Sequence, residues 1–263
     1  MTRTSVSYLE CTMSLKEPAL WEMATPTLFV ALAILFWAWE LKRPIRKVQY
    51  RRDIVLSLVG VVVAGPLEPV ITDWVRHQLS SVQEFRLDLG SNVALATVLC
   101  FVCADLSRYF THRLMHTKYL WPTHRFHHSP TELHWLSGNR ASPFHAFLSF
   151  GPTAFFAWLF SLGVVEIGVT TLVGVLWNYV MHINVRFSDR LQRVLEYVVT
   201  TPRYHHIHHA DAADLAGKNL GSFFTFPDRL FGTYVSPDQV DPASLRFGLT
   251  DEKLNPIRLV IGV

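Results

Sequence analysis

Charged residues are scarce in this chain. Asp, Glu, Lys and Arg make up 17% of its 263 residues, against about 25% in ordinary soluble domains. The 24 basic and 21 acidic residues leave a net charge of +3, which is too small for the basic surface of a nucleic-acid-binding protein. Half of the residues are hydrophobic, and this excludes an intrinsically disordered chain. No nucleic acid is expected among its partners.

Cysteine is rare, and the motifs of several enzyme classes are absent. Three cysteines, Cys11, Cys100 and Cys103, are too few for a disulfide framework, and the last two are predicted to be buried thiols. The absence of GxGxxG excludes the common dinucleotide-binding fingerprint, and the absence of HExxH weakens the hypothesis of a zinc hydrolase. Charged residues interrupt the first 24 residues, so no signal peptide is expected.

Long apolar runs, in contrast, are abundant. Four stretches predict membrane-embedded helices, at 25–41, 54–75, 91–110 and 144–181. The second contains Pro66 and Pro69, which predict a kink. The fourth is long enough for two spans, with a turn near 161–166. The predicted fold is an all-α integral membrane helical bundle; the alternative is a soluble all-α protein with buried helices.

The distribution of positive charge predicts the orientation of these spans. Residues 42–52 contain six Lys or Arg, and the positive-inside rule places such a loop in the cytoplasm. Counting spans from this loop puts every histidine motif on the cytoplasmic side, in a metal-binding cap. The excess of Arg over Lys favours a bacterial inner membrane over the endoplasmic reticulum.

Histidine is the polar residue that the chain has in excess. Twelve of its 13 histidines lie between His112 and His209. They form HRLMH at 112–116, HRFHH at 124–128 and HHIHH at 205–209, whose spacings of three and four place imidazoles on one helical face. Eight histidines at these spacings exceed the needs of one tetrahedral zinc, which predicts two metal ions. Imidazole ligands alone leave iron, zinc and copper open.

These motifs resemble the histidine boxes of the fatty acid hydroxylase / sterol desaturase superfamily. TPRYHHIHH at 201–209 is similar to the family's T-P-x-x-H-x-x-H-H sequence. The resemblance covers about 90–235. Other positions that match family motifs are Asp105, Tyr109, Arg113, Asn219, Gly221 and Asp228.

The resemblance implies a non-haem diiron centre that activates O₂ as co-substrate. The catalytic domain would be 91–235, after an N-terminal segment with two spans at 1–90 and before a C-terminal tail at 236–263. The implied ligands are His112, His116, His124, His127, His128, His182, His205, His208 and His209.

Several other residues are expected near these ligands. Asp105 is expected to accept a hydrogen bond from a ligand imidazole and so fix its tautomer. Asn178 matches the position of an additional ligand in some members. Arg140, Asn219 and Asp228 are expected either to bind nitrogen atoms of the ligands or to attach the cap to the bundle.

Four histidines outside the implied ligand set are interpreted separately. His145 stands where the family commonly has glutamate, so a site role and a structural role are both open. His134 is expected to be structural or pocket-lining. His206 is expected to point away from the metals, and His77 to lie on the opposite membrane face.

The function implied is hydroxylation or desaturation of an apolar, lipid-like substrate: fatty acyl, sterol, isoprenoid or polyketide-like. Because no flavin or nicotinamide fingerprint is present, electrons would come from a separate reductase, ferredoxin or cytochrome. One alternative is cleavage of a C–C or ether bond by the same centre. Another is a non-enzymatic membrane protein that binds metal or haem. Several aromatic residues either line a substrate tunnel or simply pack against lipid and other helices, and both roles are open. They are Phe101, Phe144, Phe147, Phe155, Phe156 and Trp158.

Overall fold

The described part of the chain is helical. The computed structural model describes residues 20–47, 51–249 and 255–263, so Cys11, most of the segment used to exclude a signal peptide and part of the basic loop lie outside the described residues. Within these ranges, pairing between extended segments is limited to isolated bridges such as Val199 with Phe224. The all-α prediction is therefore confirmed for the described residues.

Eleven α-helices follow one another in the described ranges. They are α1 (Leu20–Lys42), α2 (Arg51–Ala64), α3 (Leu67–Gln78), α4 (Val93–Met115), α5 (Trp121–His128), α6 (Pro143–Leu159), α7 (Val164–His182), α8 (Asp189–Leu195), α9 (Pro202–His208), α10 (Phe226–Leu230) and α11 (Pro256–Ile261). Three short 3₁₀ turns occupy Gln83–Phe85, Trp135–Asn139 and Pro237–Gln239. The region from 183 to 249, which contains α8, α9 and α10, is called the cap region below.

The internal contacts divide the chain into two units. The boundary lies between Ala38 and Trp39, inside α1. Within the described residues, the first unit consists of the part of α1 up to Ala38. The second unit begins at Trp39 and contains the remaining helices and all of the histidines.

Three helical segments in the described residues are long and apolar enough to cross a membrane. They are Asp53–Gln78, Val93–Met115 and Val164–His182. The first is interrupted between α2 and α3 at Gly65 and Pro66, where the prolines predict a kink. The run at 144–181 forms two helices, α6 and α7, as expected from its length, with the turn at 160–163.

Helix α6 packs between α3 and α4 through small residues. Ala146 and Ala154 lie in a buried cluster with Ile71 of α3, whereas Ala157 packs with Cys100 of α4. Small side chains allow helix backbones to approach closely in a membrane bundle. Cys100 is buried, as predicted, and Cys103 is only partly buried.

Most of the aromatic residues considered for a substrate tunnel have packing or surface positions. Phe144 and Phe155 are exposed. The ring of Phe147 packs edge-on against Trp74 at 5.5 Å, and Phe156 packs against the cluster around Cys100. These placements favour the packing and lipid-facing alternative for these residues.

Local sequence determines where the short histidine-bearing helices begin. Pro122 occupies the first turn of α5, and Pro202 begins α9. The Thr201 side chain accepts a hydrogen bond from the backbone N–H of Tyr204, which caps α9 at its N-terminus. Proline is preorganised for the first helical turn because its φ angle is already helical. The histidines of both boxes therefore start from defined helix ends.

Gly60 provides the first testable prediction. A methyl group there would collide with the backbone carbonyl of Asn139 and lie 2.9 Å from the Cα atom of Arg140. Because rigid backbone cannot yield, Gly60→Ala should destabilise the protein by about 1–3 kcal/mol. The measurement is the thermal denaturation midpoint in detergent. Gly168→Ala in α7 is the matched control, since a Cβ atom there meets nothing within 4 Å; equal midpoints for the two variants would contradict this packing.

Candidate metal centre

Nine histidines meet where the C-terminal ends of α4 and α7 approach α5 and α9. One ring nitrogen of each lies within 4.8 Å of those of the other members of its group. The first histidine group is His112, His116, His124, His128 and His208, and the second histidine group is His127, His182, His205 and His209. All nine implied ligands are thus brought together, in two adjacent sets.

Helical geometry explains how the boxes divide between the groups. Residues four apart share a group, as His124 and His128 do, whereas His127 belongs to the other group. Adjacent residues on a helix differ by about 100° in direction. His127 and His128 therefore point to different groups, and the expectation that all three share one face is corrected.

The second histidine group has a nearly equilateral arrangement of nitrogen atoms. The Nε2 atoms of His182, His205 and His209 are each 3.1 Å from the other two. The Nδ1 atom of His182 donates to the carbonyl oxygen of Asn178 at 2.7 Å. Since a carbonyl only accepts, Nδ1 carries the proton, and the Nε2 lone pair of His182 points at its two neighbours.

The first histidine group is oriented by backbone carbonyls in the same way. His112 Nδ1 donates to the carbonyl of Leu220 at 2.8 Å, and His208 Nδ1 donates to that of Lys218 at 3.0 Å. Both Nε2 atoms therefore present lone pairs. The Nε2–Nε2 distances are 3.0 Å from His112 to His124 and 3.1 Å from His128 to His208.

The seven imidazoles of these groups that lie outside the spanning helices are neutral near pH 7. Burial lowers the pKa of each one outside the spanning helices well below its usual value, namely His116, His124, His127, His128, His205, His208 and His209. Buried polar nitrogens need a partner, yet His116 Nε2 has none. Converging lone pairs are stabilised by a cation, so the donor set of each group fits a metal ion of the kind that prefers imidazole.

Asp228 and Asn219 brace the segment that carries the orienting carbonyls. The buried Asp228 carboxylate accepts from the backbone N–H of Leu220 at 2.8 Å and Gly221 at 2.7 Å, and from Tyr204 Oη at 2.8 Å. The Asn219 amide donates to the carbonyl of Tyr204 at 3.2 Å. These residues were expected either to bind ligand nitrogens or to attach the cap region, and their contacts attach the cap region.

Asp105 and Arg140 also make structural contacts. Asp105 accepts from the backbone N–H groups of Phe223 and Phe224 at 3.0 and 3.1 Å. These bonds replace the expected hydrogen bond to a ligand imidazole, because Asp105 lies about two helical turns before His112 on α4. Arg140 forms a buried ion pair with Asp53 at 2.6 Å, which joins the start of α2 to the loop before α6.

Two candidate residues lie directly beside the ligands. His145 Nδ1 is 3.4 Å from His124 Nδ1, and its ring centroid is 5.2 Å from that of His127. Asn178 contacts His182 through its backbone carbonyl. Its side-chain amide packs against Gly138, so closely that a Cβ atom at Gly138 would lie 2.7 Å from Cγ.

The remaining histidines lie outside both groups. His206 Nε2 approaches the carbonyl oxygen of His182 at 3.4 Å, and burial followed by the charge of Arg46 lowers its pKa to about 3. His134 Nε2 lies 3.4 Å from Ser57 Oγ, and His77 is exposed on α3. His206 and His134 thus lie outside both histidine groups, and the membrane face of His77 stays a prediction.

Trp121 is a site residue that the sequence interpretation missed. Its ring lies 5.3 Å from that of His116 and 5.2 Å from that of His128, between centroids. It therefore covers the outer side of the first histidine group. Its position three residues before His124 on one short helix was the available signal.

Comparison with known proteins identifies the family. The sequence model of the fatty acid hydroxylase family matches residues 97–233. The chain is 29% identical over 173 residues to the ornithine lipid hydroxylase OlsE of Rhizobium tropici, covering 60% of this chain and 46% of that protein. It is 23% identical over 242 residues to an alkylglycerol monooxygenase of Xenopus tropicalis, covering 87% and 50%.

A third relative is the Delta(7)-sterol 5(6)-desaturase erg32 of Schizosaccharomyces pombe, 30% identical over 177 residues, with 63% of this chain and 46% of the relative covered. The matches span about half the length of these curated relatives. No solved structure matches the chain significantly. The relatives are oxidoreductases, and with the three apolar helices they support an integral membrane protein. Since the family's model matches about half of the chain, including every histidine motif, this chain belongs to the fatty acid hydroxylase family.

Proposed function

We propose that this chain is a membrane-bound, non-haem diiron oxygenase that uses O₂ to hydroxylate or desaturate an apolar, lipid-like substrate. The observation that carries the proposal is the sorting of nine histidines into two adjacent groups at one end of apolar helices. Two groups support two metal ions. The names of the relatives, a lipid hydroxylase, a monooxygenase and a sterol desaturase, support the reaction class.

Iron bound by these groups would supply the oxidative chemistry that redox-inert zinc lacks. The chain's own contribution is the ligand field and its rigidity. Neutral imidazoles bring no negative charge, so the full charge of each cation remains available. Backbone carbonyls hold His112, His182 and His208 by Nδ1, and such outer partners fix tautomer and ring direction. Trp121 and the burial of the ligands limit access of water to the site.

Two further elements of the proposal concern the surroundings of the site. Electrons are proposed to come from a separate reductase, ferredoxin or cytochrome, since the chain lacks a nucleotide-binding fingerprint. The histidine groups are proposed to face the cytoplasm of a bacterial cell. The basic segment after α1 lies at the same end as His182, because Pro44 pairs with Val185 and Arg186 N–H donates to the Arg43 carbonyl at 2.8 Å. The positive-inside rule assigns such a segment to the cytoplasm.

The proposal is tested by metal content and products together. Purified full-length protein should contain one iron per histidine group. Lipid extracts of cells that express the wild type should contain a product with one added oxygen atom, or two fewer hydrogen atoms, that is missing with His127→Ala. His77→Ala, an exposed histidine remote from both groups, is the matched control and should keep the product. Fully active protein that contains only zinc would contradict the proposal, and shortened products would favour bond cleavage.

A further inference from the structure

One edge of the cap region has an inverted polarity: two polar side chains are buried there, and several apolar side chains are exposed. On and just after α8, Gln192 and Glu196 are buried, at 6% and 3% exposure. Leu191, Val194 and Tyr197 are instead exposed, at 49%, 64% and 75%. A helix that faces water presents its polar side outward. Helix α8 instead exposes the apolar Leu191, Val194 and Leu195 beside the charged Asp189, Arg190 and Arg193.

The buried polar groups have a structural task that holds this inversion in place. Glu196 pairs with Arg203 of α9 at 2.7 Å and also accepts from Thr201. Because α9 carries the third histidine box, rotating α8 to expose Glu196 would disturb the metal centre. The outward direction of Val194 is therefore fixed by the packing of α9.

The same inversion recurs on α10. Asp228 is fully buried, whereas Phe226 and Leu230 are exposed at 41% and 69%. The two elements are joined, since Val199 pairs with Phe224 and Arg229 Nη2 donates to the carbonyl of Glu196 at 3.1 Å. We call the combined apolar surface the cap edge: Leu191, Val194, Tyr197, Val198, Phe226 and Leu230.

The cap edge is continuous with the outer surface of a spanning helix. Phe231, next to Leu230, stacks on Tyr109 of α4 at 5.5 Å and lies 5.0 Å from Phe110. Phe110 and Leu114 are themselves exposed, at 42% and 53%, on a helix apolar enough to cross a membrane. The apolar surface of α4 thus meets the cap edge at Phe231, whose carbonyl accepts a hydrogen bond from the exposed Arg113 at 3.4 Å.

We propose that the cap edge is a membrane-docking surface that lies in the lipid interface of the leaflet on the histidine side. Apolar side chains buried in acyl chains are stabilised by about 25 cal/mol per Å². Exposed Arg190 and Arg193 flank the apolar residues, and Arg beside Tyr is typical of the headgroup layer of a membrane. The metal centre would then sit at the membrane surface, where a lipid substrate reaches it without crossing water.

Continuity with α4 favours lipid over the two other occupants of an apolar surface, a second copy of this chain and an electron-donor protein. Fluorescent labelling separates the three. In full-length protein with Cys11, Cys100 and Cys103 changed to alanine, an environment-sensitive dye is attached to Val194→Cys or Leu230→Cys. The protein is placed in bilayers of phosphatidylcholine and phosphatidylglycerol, and quenching is measured with brominated acyl chains and with aqueous iodide.

Docking in lipid predicts a loss of fluorescence with brominated lipid and little loss with iodide at both positions. A dye at Asp214→Cys, an exposed polar position in the cap region, is the matched control and should show the reverse. Iodide quenching at Val194 or Leu230 equal to that of the control would overturn the proposal. Protection from both quenchers would also overturn it, in favour of a protein partner. Both labelled positions are exposed, so the dye displaces little packing, and retained metal content verifies the fold of each variant.

Discussion

Replacing His205 with alanine should abolish turnover and remove the metal ion of the second histidine group, whereas replacing His206 should do neither. His205 Nε2 lies 3.1 Å from the Nε2 atoms of His182 and His209. Outer partners of metal ligands already account for about 10–100-fold in affinity or activity, so loss of a ligand itself should cost more than about 100-fold. Metal content by mass spectrometry and product formation provide the two measurements.

The His206 variant makes this a controlled comparison. Both histidines are buried on α9, at 1% and 0% exposure, and each change removes one imidazole side chain. Only the direction of the ring differs, since His206 Nε2 faces the carbonyl of His182. Equal metal loss in the two variants would show that packing of α9, rather than ligation by His205, accounts for the effect.

Asp228→Ala should produce the largest loss of stability. Its carboxylate accepts from Leu220 N–H, Gly221 N–H and Tyr204 Oη, and from Thr233 Oγ1 at 2.6 Å. Removing it leaves these buried donors unsatisfied, with an expected cost of about 3–5 kcal/mol. The Leu220 carbonyl, which orients His112, would be released as well. We expect a lower denaturation midpoint in detergent and weaker metal retention in the first histidine group.

Asp238→Ala is the control for Asp228→Ala. Asp238 accepts from Arg203 at 2.7 Å, but its side chain is 46% exposed. The partial exposure limits the expected cost to about 1 kcal/mol or less. If the two variants denatured at the same temperature, the brace formed by Asp228 would contribute no more than a surface ion pair, contrary to the prediction.

The amino-acid sequence by itself was enough to predict the three apolar segments that the structure shows, and, with the family resemblance for His182, the set of candidate ligands. Apolar runs of membrane length need no partner to be recognised, and Pro66 predicts a local break in its own helix. The histidine spacings are also local, because residues four apart always meet on one helix. The spacing alone therefore pairs His112 with His116, and His205 with His209.

The tertiary structure alone decided how those pairs combine and what surrounds them. Whether His127 joins His124 or His182 depends on how α5 meets α7, and these residues are far apart in the chain. Asp105 and Arg140 take partners from distant segments, Phe223 and Asp53, so a sequence motif identified the positions without their contacts. The apolar surface of the cap edge also depends on tertiary packing, since Glu196 turns inward to pair with Arg203 of α9. Helical periodicity is set within a few residues, whereas long-range packing decides which side of one helix contacts another.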